Sequence, residues 1–180
     1  MLASVGLAPH QGEIRVGGIP LSAATLTRVR EQVGFLFNVP EDQLLFPRVV
    51  DDTLFGLLRR GVDAATARER ALRILATLGM ETFADSPLHH LSHGQKQRVA
   101  LAGALVTEPR LLLLDEPSAA VDPPTRRELA AHLRGLESAM LVATHDLDFA
   151  ERFCTRFVLL EQGRVQSDGE DVDSIEQRWR

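Results

Sequence analysis

Lysine is almost absent from this chain. Of its 20 basic residues a single one, Lys96, is a lysine, and it stands between Gln95 and Gln97. That position excludes a phosphate loop of the form G-x-x-x-x-G-K-[ST], whose lysine reaches the terminal phosphates of a nucleotide, from these 180 residues. Cysteine is equally scarce. Cys154 alone rules out an internal disulfide framework and fits a reducing compartment; beside Phe153 and Phe157 it reads as a core residue. No apolar run approaches the roughly 20 residues that cross a bilayer. Leu101–Val106 and Leu111–Leu114 are short and are separated by Thr107-Glu108-Pro109-Arg110. The opening Met1-Leu2-Ala3-Ser4-Val5-Gly6-Leu7 lacks the basic residue of a signal peptide. Service to a membrane would then run through docking to another subunit. The formal charge of −5 weighs against a nucleic-acid-coating role.

What is present suits one substantial domain, or a core with one inserted subdomain. Glu13–Val16 and Val33–Phe37 read as short strands. From Pro40 to about Ala104 the texture is helical. Asp63 is placed to cap a helix over Ala64–Leu78 with Ala67, Ala71, Leu75 and Leu78 on one face, and Gly79 to end it. Leu111–Leu114 is the pattern of a strand buried on both faces of a parallel sheet. Asp122-Pro123-Pro124 predicts an N-cap and first turn, with Leu129, Leu133 and Leu136 facing inward. Ala139–Ala143 predicts another buried strand, Asp146 a cap on a short helix to about Phe153, and Arg156–Glu161 with Gly163–Ser167 a final hairpin. The tail Asp168–Arg180 is polar and is expected to fray. Strands alternating with helices after residue 104 indicate an α/β fold with a largely parallel sheet, into which the helical stretch 40–104 is inserted.

Three places carry candidate chemistry. Ser92 and Gln95 satisfy S-x-x-Q, a capping box opening a helix to about Val106. The same turn, with Gly94 lacking a Cβ, is compatible with an anion meeting exposed backbone N–H groups at the positive helix end. Asp115 and Glu116 end the leucine strand, where open parallel sheets bind ligands. They are either two solvated carboxylates or a pair in which aspartate holds Mg²⁺ on a nucleotide and glutamate polarises a water. His145 ends a second apolar strand, Leu141-Val142-Ala143, as a structural histidine or one facing the same ligand. His10, His89, His90 and His132 read as surface or turn residues.

Together these elements resemble one family. Leu91-Ser92-His93-Gly94-Gln95 resembles the LSGGQ signature of ATP-binding-cassette ATPases, and Lys96–Ala102 its usual continuation. Leu111–Pro117 resembles the family's Walker B strand, Ser118–Asp122 its D-loop, and Thr144-His145 its switch histidine. Phe37–Leu44 followed by Asp51–Gly56 resembles the ATPases of energy-coupling-factor importers for cobalt, nickel and vitamins.

The resemblance implies a P-loop-NTPase-like (RecA-like) α/β core at 1–39 and 105–180, with a helical signature subdomain at 40–104. It implies ATP and Mg²⁺ as ligands, Asp115 as the metal holder, and Glu116 and His145 as catalytic residues. Asn38, Ser92, His93, Gly94, Gln95 and Asp122 would contact nucleotide. It implies a second ATPase subunit and a membrane coupling subunit as partners, no nucleic acid, and a peripheral place on the cytoplasmic face of the membrane.

Three departures qualify it. The N-terminal strand and P-loop are missing: residues 1–7 align with the end of the helix that follows the family's P-loop. Asn38 stands where the family carries the Q-loop glutamine, one methylene shorter. His93 replaces the first signature glycine, which is expected to be benign.

Overall fold

A computed structural model describes residues 1–119, 121–172 and 175. Its chain divides into two compact units, Met1–Ala120 with Glu137–Ala143 and Val121–Leu136 with Thr144–Arg180.

The first unit is built on three parallel strands in the order β3 (Val33–Leu36), β4 (Leu111–Asp115), β5 (Ala139–Ala143). A small antiparallel pair, β1 (Arg15–Val16) and β2 (Ile19–Pro20), precedes them. β4 is central, pairing Val33–Leu36 on one side and Ala139–Ala143 on the other. Its Leu112, Leu113 and Leu114 are buried, as a strand covered on both faces requires. Each such leucine contributes on the order of 1.5–3 kcal/mol relative to exposure.

β5 differs from its expectation as a buried strand. It is the edge of this sheet, with burial alternating along it and Leu141 51% exposed. An apolar stretch of five residues specifies a strand but not how many of its sides are covered.

Between residues 40 and 105 every regular element is helical: α2 (Val49–Arg59), α3 (Ala64–Thr77) and α4 (His93–Leu105), with single 3-10 turns at Pro40–Asp42, Glu81–Phe83 and Leu88–His90. A five-residue helix, α1 (Leu26–Arg30), lies earlier. α3 starts where Asp63 accepts the Thr66 N–H at 3.0 Å, and buries Ala67, Ala71 and Leu75. It ends at Gly79, whose φ of +65° a residue with a Cβ adopts only under strain. Gly34 marks the closest approach in the unit. A Cβ there would collide with the carbonyl oxygen of Ala104 in α4 and lie 2.8 Å from Leu112 Cδ2. The absence of that Cβ lets α4 press against β3.

The second unit holds α5 (Pro123–Arg134), α6 (Leu147–Glu151) and a hairpin of β6 (Phe157–Glu161) and β7 (Arg164–Gly169). Leu129 and Leu133 face inward as expected, while Leu136 lies beyond α5 and is half-buried. Phe149 is fully buried and meets Phe153 edge-on, with ring centroids 5.0 Å apart. Cys154 is only half-buried rather than a core residue, and that burial raises its thiol pKa. The start of the expected tail belongs to β7 instead, because Arg156 holds Asp168 through two bonds of 2.7 and 2.6 Å. Val172 and Ile175 are buried; Asp173, Ser174 and residues 176–180 lie outside the described residues, as does Ala120. Among the described residues no helix is long and apolar enough to cross a membrane.

Candidate functional site

The first unit carries seven of the nine residues singled out from the sequence: Asn38, Ser92, His93, Gly94, Gln95, Asp115 and Glu116. Asp122 and His145 belong to the second.

The parallel register opposes Leu36 to Leu114, so β3 and β4 exit at the same edge of the sheet. Asn38 follows β3 and is exposed; Asp115 and Glu116 are half-buried at the end of β4. Glu116 adopts φ +49°, the left-handed region, directly before Pro117. A non-glycine residue there stores roughly 1–3 kcal/mol of strain, and such strain gathers at functional sites. The turn is pinned by the Glu116 N–H, which donates to the Ala143 carbonyl at 2.8 Å, and by the Ala119 N–H, which donates to the Glu116 carbonyl at 3.0 Å.

Burial, and then the charge of Glu116, hold the Asp115 carboxyl above the usual carboxylate range. A folded-state pKa raised above its unfolded value means that ionising Asp115 opposes folding. The cost is absent below the ordinary carboxylate pKa and fully present once pH exceeds the folded value. Asp115→Asn is therefore expected to raise the melting temperature at about pH 7 and to lose that advantage as pH falls towards about 4. Thermal unfolding of both proteins across that range checks it; an advantage that does not change with pH would exclude this cause.

The same crowding of negative charge suits a hard divalent cation. Mg²⁺ needs only one or two carboxylates, with water and substrate phosphate completing its shell. Asp115, half-buried beside Glu116, offers one such carboxylate; among the described residues no group of three or more His, Cys, Asp or Glu side chains is placed to hold a metal.

Ser92 caps α4 as the sequence implies. Its Oγ accepts the Gln95 N–H at 3.3 Å, and Gln95 Oε1 accepts the Ser92 N–H at 2.8 Å. A helix start presents four N–H groups without intrahelical partners. The box satisfies those of Ser92 and Gln95, and the described bonds leave those of His93 and Gly94 open at the positive end of a 13-residue helix. Because Ser92 Oγ acts as the acceptor in the box, its hydroxyl proton remains available to a ligand.

In the second unit Asp122 caps α5, accepting from the Thr125 N–H at 3.1 Å and from its hydroxyl at 2.7 Å. His145 is exposed and precedes Asp146, which caps α6 and pairs with Arg126 at 2.8 Å.

Two further residues gain significance only in three dimensions. Glu41 Oε1 meets Lys96 Nζ at 2.8 Å, and Oε2 lies 3.8 Å from His93 Nδ1. The Lys96 bond lowers the Glu41 pKa. Gln43 reaches both the Phe37 N–H and α4. Their separations from these α4 partners, 55 residues for the Glu41–Lys96 bond and 57 for the Gln43–Ala100 bond, hide both from any periodic reading.

Beside them a groove of about 420 Å³ runs between Glu41, Leu44–Pro47 and Leu88–His89, with Lys96 on its wall. Its wall is held by Asp52, which accepts the N–H groups of Leu45 (2.6 Å) and Phe46 (3.0 Å). Leu45 is 73% exposed there.

Residues 2–119 match the family described as ABC transporter. A putative ABC transporter ATP-binding protein of Gloeobacter violaceus is 47% identical over 165 residues, covering 91% of this chain and 68% of that protein. One from Streptomyces coelicolor is 43% identical, covering 88% of the chain and 61% of its own length. The energy-coupling factor transporter ATP-binding protein EcfA of Methanoculleus marisnigri is 39% identical over 167 residues, 91% of this chain and 60% of that protein. The chain thus spans about three fifths to two thirds of these relatives' lengths. Among solved structures, CbiO1 from Clostridium perfringens, part of the ABC transporter complex CbiONQ, superposes with a TM-score of 0.82 at 32% identity. The match covers 98% of this chain and 73% of that one. A dimeric ATP-binding cassette in a post-hydrolysis state with ADP and Pi, MJ0796, gives 0.85 at 28% identity, covering 94% and 77%.

Proposed function

The chain belongs to the ABC transporter family and has its P-loop-NTPase fold, and from that premise we propose that it serves as the ATP-hydrolysing subunit of an energy-coupling-factor-type importer of a metal ion or vitamin. The observation that carries this reading is the Ser92 turn, a capped helix start with two backbone donors and a hydroxyl left for phosphate. The importer type draws support from the Phe37–Leu44 stretch and the similarity to EcfA and CbiO1.

In this reading each residue has a defined task. The N–H groups of His93 and Gly94 and the Ser92 hydroxyl bind the terminal phosphate of the ATP held by a second subunit's P-loop, and Gln95 keeps the turn rigid; the remaining residues act on this chain's own nucleotide. Asp115 holds Mg²⁺, which when bound neutralises phosphate charge and orients the transferred group. Glu116 takes the proton of the attacking water, Asn38 orients that water, and His145 senses the γ-phosphate. Asp122 lends its loop to the nucleotide contact. The helices between 40 and 104 form the signature subdomain of a core at 1–39 and 105–180. A second ATPase subunit completes the site, and a membrane subunit docks in the Glu41–Pro47 groove, placing the chain on the cytoplasmic face of the membrane.

These 180 residues hold no G-x-x-x-x-G-K-[ST] segment, and a P-loop supplies several charge-assisted bonds of about 1.5–3 kcal/mol each. In this reading the Ser92 turn faces a P-loop carried by the second ATPase subunit. A second reading, in which this chain lends only its signature face to a catalytic partner, is favoured by Asn38; Glu116 and His145 weigh against it. The test is Mg·ATP turnover by the detergent-solubilised assembly with and without this chain. Turnover that needs the chain supports the proposal, and equal turnover without it rejects both readings.

A further inference from the structure

Gln43 joins the segment that leads into Asn38 to the helix that starts at the Ser92 turn. Its Oε1 accepts the N–H of Phe37 at 3.2 Å, one residue before Asn38. Its Nε2 donates to the carbonyl of Ala100 at 2.8 Å, in the second turn of α4. A second tie leaves the same short segment from Glu41 and reaches the first turn of α4 at Lys96 and His93. A third level is set where Ala104 closes on Gly34 of β3. Moving up β3 from Gly34 to Asn38 thus means moving down α4 from Ala104 to the Ser92 turn. The helix is antiparallel to the strand, and Gln43 bonds to both between those two levels. The groove proposed for the membrane subunit is lined by the same segment.

We propose that Gln43 is a positioning residue: its two-handed amide fixes the distance between Asn38 and the Ser92 turn, so that a load on the Glu41–Pro47 groove reaches the phosphate-binding turn through α4. This inference rests on the ATP-subunit reading above. A glutamine suits the task because one planar group presents an acceptor and a donor on opposite corners. Gln43→Glu keeps the acceptor for Phe37 but turns a carboxylate oxygen onto the Ala100 carbonyl, breaking only the α4 end. Gln43→Leu breaks both ends.

The experiment has two arms. Backbone hydrogen exchange on the purified chain, without nucleotide, is expected to speed up about tenfold or more in Gln43→Glu at Val39–Leu44 and Lys96–Val99 together. Leu112–Leu114 should keep their rates, and Gln43→Leu should repeat the pattern and add Phe37. Acceleration confined to 37–44, or spread over the whole unit, overturns the proposal. In the full assembly, KM for ATP is expected to rise about tenfold in Gln43→Glu. A merely structural role would lower the active fraction, hence the maximal rate, and leave KM alone. Unchanged KM therefore removes the positioning role. Wild-type turnover that does not depend on Ser92 removes the ATP-subunit reading and the positioning role with it, and the exchange pattern then reports on the tie alone.

Discussion

Replacing Ser92 by arginine is expected to lower Mg·ATP turnover by about 10²–10³-fold when this chain is assembled with a subunit that carries a P-loop. The size follows from what the turn presents. Arginine cannot accept the Gln95 N–H, so half of the capping box is lost, at a cost of about 1 kcal/mol to the helix start. The hydroxyl donor disappears as well. A guanidinium at the N-cap adds positive charge where the helix end is already positive, and its bulk occupies the space in front of the His93 and Gly94 N–H groups. Loss of a preorganised donor facing developing phosphate charge accounts for most of the effect. Ser92→Ala, which keeps the space open and loses only the hydroxyl and cap, should fall between wild type and Ser92→Arg. Steady-state turnover with circular dichroism on the same samples checks this. Unchanged turnover in folded Ser92→Arg would mean that the turn does not face ATP.

Glu116→Gln carries the second large expectation. In the chain extended upstream through a G-x-x-x-x-G-K-[ST] segment, turnover should fall by about 10²–10⁴-fold, the range for removal of a positioned general base. Glutamine preserves shape and the left-handed backbone at this position equally well, so the strained turn before Pro117 should survive. ATP binding, measured by equilibrium titration, should persist, because the lost group acts on water and not on phosphate. The pair of substitutions separates the two functional readings. A chain that hydrolyses ATP at its own β4 loses turnover with either change. A chain that only lends its signature face to a partner loses it with Ser92→Arg and keeps it with Glu116→Gln.

Several elements were legible because their signals are local. Asp63, Ser92, Asp122 and Asp146 each accept the N–H three residues ahead, a bond whose donor and acceptor are written side by side in the chain. β4 was legible because four leucines followed by two carboxylates favour a strand with a polar exit, and in the fold that strand is central and covered. β5 was misread for a related reason: an apolar run states that a strand is favoured, not whether a neighbour covers its second edge. The polar stretch after Ser167 was read as fraying because the partner that orders Asp168, Arg156, acts across a hairpin. The left-handed Glu116 had no sequence signal at all, since glutamate before proline favours the extended region.

The sequence by itself determined the order of the family-like motifs, the caps that start α3, α4, α5 and α6, and the identity of the central strand. All of these depend on residues within one turn or one strand of each other. Only the tertiary structure decided which backbone N–H groups remain open at Ser92, how Asp115 is desolvated against Glu116, and that Glu41 and Gln43 bind the Asn38 segment to α4. The last of these arises from groups 55 and 57 residues apart, which meet where Gly34 lets a helix close on a strand. Burial and hydrogen-bond pairing depend on distances in space, which local spacing along the chain does not encode.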